Sequence, residues 1–548
     1  MVQPVKADVT PSAPPPTRDD RIGTAGWRIL TLICAAQAMS LLDRQILSIL
    51  ASDIRADLNI GDAELGLLYG TVFALFYALF SLPLGRLADG WIRTKLLAIC
   101  IAIWSVSTLM AAFASGFALL ALSRLGVGIG EAAAQPTGNS LIFDVIPKGR
   151  RSFAMAAVAI AIALGLGASM MLGGIAADWW NHAFTSGAPL GLSGWQFAFV
   201  VAALPGFILV LLLLREPEPE RGKSDGIATK KDPAPFKASL ALFAAVAPVT
   251  NWAMLHRRGA PARSWIANIV GLALIVAACT TIARLAQHFS PRPAIDFGVL
   301  AINPHVLQWS VVGFGAFVIL NLFQSLKLSD RPAHAAIASP TLLLLMGAGA
   351  LQYAINYGVM GFTPSFLMRS YGLSARETGL NFGLLSAGLG MLGPLVAGPL
   401  ADRANRHLPG AGRIGLTLAS LGLSPLLAIW VYTAPEASSF YLRFTLYSLV
   451  LTMWMPPLYA MMYDLVLPRM RGVTSSAFVM ISTLSGLGIG PYAVGMISDA
   501  NGGNLGSAIL SVNLVAPVIV VCLILAMLWV KRDENSLVPR CRAAGEPV

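Results

Sequence analysis

From Phe197 to Leu214 the chain runs without a single charged residue. A run of about 18 to 20 apolar residues, rising 1.5 Å per residue as a helix, covers the roughly 30 Å hydrocarbon core of a bilayer. Runs of this kind recur along the chain, and they constrain the fold more than any single residue does. In lipid the main-chain groups have no water to bond to, so each run must close its own hydrogen bonds as a helix. Of the 548 residues 56% are hydrophobic and 12% charged, and the mean hydropathy is +0.70. That leaves too little polar surface for a soluble protein. The sequence therefore predicts an all-α polytopic membrane protein and excludes a soluble helical one.

Twelve spans are expected in two sets of six. The first set covers 27–50, 64–86, 95–114, 117–143, 152–177 and 195–214, and the second 339–363, 377–400, 413–433, 440–463, 473–498 and 507–530. The net charge of +11 would suit a nucleic-acid partner if the charge were clustered. Instead most of the 38 Lys and Arg lie in the loops on one side of these spans. That bias places both termini in the cytoplasm and accounts for the charge without nucleic acid. The expected location is the plasma membrane, as in a bacterial inner membrane. Cys34, Cys100, Cys279, Cys522 and Cys541 are scattered and form no CxxC pair, so they read as packing residues.

The two sets repeat each other. Gly85-Arg86-Leu87-Ala88-Asp89 ends the second span and Gly398-Pro399-Leu400-Ala401-Asp402-Arg403 ends the eighth. Pro147-Lys148-Gly149-Arg150-Arg151 follows the fourth span and Pro468-Arg469-Met470-Arg471-Gly472 follows the tenth. Two matches at nearly one offset imply two similar bundles facing a shared interface, where transporters place their site. The expected organisation is a disordered cytosolic tail (1–24), an N-terminal bundle (25–215), a connection (216–338), a C-terminal bundle (339–532) and a second cytosolic tail (533–548). The connection begins as a charged linker and contains two further apolar runs, 265–283 and 306–323. An even number of added spans keeps the second half in the orientation its basic loops require. Fourteen spans are therefore expected, with the added pair peripheral. Phe236 to Val249 is too short to span and is expected to lie at the interface.

The loop Gly85 to Lys95 and the stretch Arg124-Leu125-Gly126-Val127-Gly128-Ile129-Gly130-Glu131-Ala132 resemble signatures of the major facilitator superfamily. Leu42-Asp43-Arg44-Gln45-Ile46-Leu47-Ser48, Phe73 to Tyr77 and Trp195 to Phe199 are similar to its Spinster-type branch. The resemblance implies two six-helix bundles related by a pseudo-two-fold axis, and it does not extend to 236–335. The loop departs from the family pattern at Gly90 and Ile92 but keeps Arg93 and Lys95. The fifth span lacks the Gly-Pro pair of many antiporters, whereas the eleventh carries Gly490-Pro491, so the direction of coupling stays open.

Charges at mid-span depth cost about 2.5 to 3.5 kcal/mol each on insertion scales, so they normally face a polar interior. Asp43, Arg124 and Glu131 are of this kind. Arg124 and Glu131, seven apart, share a helix face within about 20°, roughly 10 Å along the axis. Asp43 falls at the depth of Arg124 on the first span. These positions suggest a triad of two acids sharing Arg124, with Glu131 and Asp43 as proton-coupling groups and Arg124 as switch or substrate partner. The resemblance implies the same roles. Arg44, about 100° round the helix from Asp43, is expected to point elsewhere.

In the second half Gln352, Asn356, Tyr357, Asn381, Trp454 and Tyr459 are candidate substrate-binding residues, and Pro456-Pro457 marks a kink in the tenth span. With the ionic residues in one bundle and aromatic ones in the other, an amphiphilic solute would suit the cavity. Asp89, Arg93, Asp402 and Arg403, at cytoplasmic span ends, are candidate gate residues. The six histidines have no metal spacing, and neither a phosphate loop nor a Ser/His/Asp set is legible, so no metal, cofactor or enzymatic activity is expected. The expected function is secondary active transport of a small amphiphilic or anionic organic solute (lysolipid-like, or an organic acid), proton-coupled, by a monomer using alternating access. A transporter-like receptor or scaffold without flux, a facilitated uniporter and a sugar-acid importer are the alternatives.

Overall fold

The computed structural model describes residues 22–147, 151–185, 187–221, 233–296, 301–467 and 470–546. The expected N-terminal tail through residue 21, and much of the charged linker, lie outside the described residues.

The first half is built from α1 (Thr24–Leu58), α2 (Asp62–Gly66), a π-helical turn (Leu67–Thr71), α3 (Val72–Gly90), α4 (Arg93–Ala111), α5 (Phe117–Glu131), α6 (Ala134–Val145), α7 (Arg151–Ala183) and α8 (Gly194–Arg215). The insert follows as α9 (Pro235–Val246), α10 (Thr250–Arg257), α11 (Ala262–Phe289), a two-residue ladder of β1 (Ile295–Asp296) with β2 (Ala301–Ile302), α12 (Pro304–Ser329) and α13 (Arg331–Ile337). The second half comprises α14 (Pro340–Tyr371), α15 (Ala375–His407), α16 (Ala411–Tyr432), α17 (Ala437–Thr452), α18 (Met455–Asp464), α19 (Arg471–Ala500), α20 (Leu505–Ser511) and α21 (Ala516–Ala543). Among the described residues, 13 helices are long and apolar enough to cross a membrane, counting α2–α3, α5–α6 and α20–α21 as single spans.

Two expected spans are broken rather than continuous. The fourth (117–143) stops at Glu131 and restarts at Ala134, with Pro136 in the first turn of α6. The tenth (440–463) stops at Thr452 and restarts at Met455, with Pro456 and Pro457 in the first turn of α18. A proline is tolerated in the first helical turn, where its missing N–H has no partner to lose. The two breaks occupy corresponding positions of the two halves. Non-helical main chain at membrane depth survives only where protein buries it or a cavity takes it.

The insert differs from a peripheral pair. α11 is peripheral: Ile266, Ile269 and Leu274 are exposed along it. α12 instead lies in the seam between α3 and α19. Gln308 accepts from the Thr71 hydroxyl (2.5 Å) and donates to the Gly488 carbonyl (2.7 Å), so one buried side chain binds both halves. Val318 and Leu322 pack with Ala78 and Leu79 on one side and Ala477 and Met480 on the other. The segment expected at the interface forms α9, anchored to α3 by the Ser239 hydroxyl on the Pro83 carbonyl; a 102° bend leads into α10, and the bent pair together is long and apolar enough for a broken span or re-entrant loop. The expected C-terminal tail also differs. α21 continues through it, Leu537 and Cys541 are buried, and the Asp533 carboxylate accepts the Thr341 N–H at the start of α14.

Glycine sets the close approach of the halves. A Cβ on Gly70 would fall on the Leu487 carbonyl, and one on Gly66 would stand 2.6 Å from the Pro491 carbonyl. The π-helical turn carries this contact, and such turns are frequent at functional sites. Gly388 has open space where its Cβ would lie. Gly70→Ala should therefore lower stability by about 1 to 3 kcal/mol, the usual range for overpacking. Gly388→Ala should be neutral or slightly stabilising, since it only adds helix propensity. Thermal denaturation of the purified protein in detergent checks the contrast.

Candidate functional site

Ser40, Arg44 and Ser48 recur every fourth residue on α1 and therefore share one face. That face looks at the end of α5, where Glu131 terminates the helix at its break. The Ser40 hydroxyl donates to Glu131 Oε2 (2.7 Å) and Arg44 Nη2 donates to the same oxygen (2.6 Å). Arg44 is thus the ion-pair partner of Glu131: it points away from Asp43, as expected, and toward a neighbouring helix. The 100° step between Asp43 and Arg44 separates those two residues, but it leaves Arg44 on the stripe facing the interior. Glu131 is 1% exposed and Arg44 9%. A pair this deep is stable only with good geometry and further hydrogen bonds, which Ser40 supplies.

Arg124 does not bridge the two acids. Its guanidinium donates to the main-chain carbonyls of Asp43 (3.0 Å) and Arg44 (3.4 Å), cross-linking α5 to α1. The Asp43 carboxylate is fully buried, and neither of its oxygens accepts a hydrogen bond from the described residues. Phe73 on α3 stands by both cations: its ring centroid is 4.7 Å from the Arg44 guanidinium carbon and 5.9 Å from that of Arg124. Tyr77 stacks on Phe73 (5.4 Å) and lies 5.2 Å from the Arg44 guanidinium carbon. Desolvated cation–π contacts of this kind are worth about 2 kcal/mol or more. The three predicted residues therefore share one region, organised as a Glu131–Arg44 pair beside an Arg124 main-chain clamp.

The second half contributes an aromatic wall. Tyr353 stacks near Tyr357 (6.0 Å) and meets Trp454 edge-on (5.2 Å), and its hydroxyl lies 3.4 Å from that of Tyr459. Tyr459 packs on Phe478 (5.2 Å). Trp454 sits at the α17–α18 break, fully buried, with Tyr459 half-buried one turn on. Gln352 donates to Asn356 (2.8 Å), closing a polar pair on α14, and Tyr357 packs against the N-terminal core. Asn381 stands apart. It is exposed on the stripe of α15 that carries the exposed Leu384, Leu392 and Leu395. Sequence spacing assigns no site role to Tyr353 or Ser40, and marks Phe73 and Tyr77 only as the ends of a family-like motif, although the i, i+4 spacing of Ser40 and Arg44 is a usable signal.

Of the candidate gate residues, Arg93 and Arg403 have described side chains. Arg93 is buried and pairs with Asp144 and with Glu218 (2.7 Å), partners in its own half and the start of the linker. Arg403 is exposed, and the side chains of Asp89 and Asp402 lie outside those described. The ionic contact between halves is at the opposite end of the bundles, away from the basic loops. There Arg369 at the end of α14 makes a bidentate pair with Asp62 on α2 (2.8 and 2.9 Å). Ser498 on α19 donates to Asp62 (2.9 Å), and Asp499 accepts the main-chain N–H groups of Asp62 (3.2 Å) and Ala63 (2.8 Å). Arg292 from the insert pairs with Asp499 and reaches Glu64 (3.9 Å). Nothing in sequence spacing links these four segments.

The seam between α7 and α15 closes at this same end. A Cβ on Gly174 or Gly379 would meet the main chain of the other helix, at Ala375 and Met170 respectively. Further along α15, a Cβ on Gly388, Gly390 or Gly398 would meet nothing within 4 Å. In the first half, meanwhile, Ser48 donates to the Gly361 carbonyl (2.8 Å), tying α1 to α14 between the ionic cluster and the Glu131 pair.

Residues 33–353 match the sequence model of the Major Facilitator Superfamily, more than half of the chain. An MFS-type efflux pump of Mycolicibacterium smegmatis is 25% identical over 482 residues, 88% of this chain and 86% of that one. Protein spinster of Drosophila melanogaster is 30% identical over 218 residues, 40% of this chain and about a third (34%) of that relative. The crystal structure of a bacterial homolog of the human lysosomal transporter Spinster, inward-facing and unoccupied, superposes with a TM-score of 0.62 at 21% identity, covering 96% of this chain and 99% of that one. The chain belongs to the major facilitator superfamily, as a membrane transporter similar to the Spinster proteins.

Proposed function

We propose that this transporter is proton-coupled and moves an amphiphilic or anionic organic solute by alternating access between the two bundles. The observation that carries the reading is the buried Arg44–Glu131 pair, facing a second half whose wall is aromatic. Protonating Glu131 removes its charge and frees Arg44, a planar fork suited to a carboxylate, phosphate or sulfonate head. Loss of that proton draws Arg44 back and releases the solute. Asp43, buried beside Arg124, is the second proton-carrying group. Gln352, Asn356, Tyr357, Trp454 and Tyr459 would receive the apolar body. Among the relatives, a zebrafish protein named as a sphingosine-1-phosphate transporter (29% identical over 197 residues) and a probable sulfoacetate transporter of Cupriavidus necator (24% over 433) carry names with anionic solutes. Their names accord with the proposed solute class.

With the basic loops in the cytoplasm, the ionic cluster around Asp62 would act as the outer gate, engaged in this conformation. The expected location in a bacterial inner membrane, with both termini cytoplasmic, belongs to the same proposal, as does action as a monomer.

Proteoliposome flux of lysophospholipids, sphingoid phosphates and organic acids, with and without a pH gradient, tests the coupling. Glu131→Gln should abolish the gradient-driven part of flux, at least tenfold, while leaving solute exchange. Arg44→Lys, which keeps the charge but not the fork, should weaken solute binding by about tenfold. Flux that never responds to pH would instead indicate a facilitated uniporter. For the gate, Asp62→Asn removes a charge-assisted bidentate contact worth about 1.5 to 3 kcal/mol. It should shift the population toward the outward-open form by about tenfold or more. Alkylation of a cysteine at Ser48, measured from the outer side, should then accelerate by that factor.

A further inference from the structure

The insert carries a pocket that transport of the solute leaves unused. It has a volume of about 610 Å³ and lies where the start of α11, the end of α12 and the start of α13 converge. Arg263, Lys327 and Arg331 reach it from these three separate segments, and His334 joins them from α13. No Asp or Glu lines it among the described residues. The nearby Asp330 accepts the Ala333 N–H as the cap of α13. Below the cations the wall becomes apolar, with Leu320 and Phe323. One wall is rigid. Asn268 donates to Asn321 (2.8 Å) and Gln324 (2.7 Å), and Gln324 donates to the Ser264 carbonyl (2.6 Å). Burial and the neighbouring Lys327 hold the His334 imidazole below its usual range, so it is neutral near pH 7 and adds a hydrogen-bonding group without a fourth charge.

The order of these groups, cations first and apolar wall beyond, follows the membrane normal, because α11 and α12 are both of span length. A soluble anion would use the cations and leave the apolar wall idle. An anionic glycerophospholipid uses both, its phosphate among the cations and the upper acyl chain against Leu320 and Phe323. Basic pockets between membrane helices bind acidic head groups in this way. We infer that this pocket binds the head group of an anionic glycerophospholipid from the leaflet on the side of the basic loops. α12 runs from here into the seam between the halves and α13 packs on α21, so the bound lipid would brace the insert against the second half. The inference does not rest on proton coupling or on the identity of the solute.

The test uses the full-length purified protein. Thermal stability and lipid retention in native mass spectrometry are measured with phosphatidylglycerol, phosphatidylcholine and soluble glycerol 3-phosphate as probes. Phosphatidylglycerol is expected to be retained about tenfold more than phosphatidylcholine and to raise the melting temperature. The variant Arg263→Gln/Lys327→Gln/Arg331→Gln should lose that preference while keeping its melting temperature in phosphatidylcholine. A second variant, Lys237→Gln/Arg257→Gln/Lys531→Gln, removes as many exposed charges from the same membrane face outside the pocket and should keep the preference. Equal losses in both variants, or an unchanged preference in the first, would overturn the pocket. Full stabilisation by glycerol 3-phosphate alone would overturn the lipid.

Discussion

A carboxylate and a guanidinium taken out of water must find each other, or the helices that carry them will not insert and pack at acceptable cost. In this transporter the Arg44–Glu131 pair meets that demand, and much of the first half is arranged around it. It holds α1 against the end of α5. Phe73 and Tyr77 of α3 lie against its cation, and Ser40 completes the coordination of its anion. The α5–α6 break falls immediately after Glu131, so the carboxylate stands at the end of a helix, where the main chain turns. Arg124, two turns earlier in apolar surroundings, is satisfied by carbonyls of α1 rather than by a second carboxylate.

The second half answers this with a different chemistry at matching positions. Its broken span carries Trp454 at the break, and the surrounding wall is made of tyrosines whose hydroxyls contact one another. The pseudo-symmetry is therefore one of main-chain geometry, with the ionic and aromatic functions divided between the halves. The insert adds a third component. By bonding Thr71 and Gly488 through Gln308, and Asp499 through Arg292, it ties itself to a seam that must change if access alternates. A helix in that position is a natural place for the lipid surroundings to act on the transport cycle.

Much of the architecture was legible in advance because it follows from local arithmetic. Span positions, the repeat of Gly85–Asp89 by Gly398–Asp402, and the start of the second half within a residue of Pro340 all derive from run length and motif order. The site was legible to the level of depth and helix face: Asp43, Arg124 and Glu131 do share one region. Their pairing was not. Adjacency in sequence separated Arg44 from Asp43 by 100°, yet the direction that mattered was toward Glu131, on another helix. Asn381 shows the converse, since a polar residue at the right depth can lie on the outer stripe, and depth does not encode rotation about the helix axis.

The sequence by itself determined that this is a helical membrane transporter with two repeated halves and unbalanced charge between them, because lipid permits only self-satisfied helices and penalises every charge within them. Only the tertiary structure decided which cation serves which anion, where the halves are clamped, and that α12 enters the seam. Those outcomes depend on helix rotation and on close approaches such as Gly70 to Leu487, which involve residues hundreds of positions apart. No local period of the chain records them, because a side chain's partner across an interface is set by how two helices pack rather than by either helix alone.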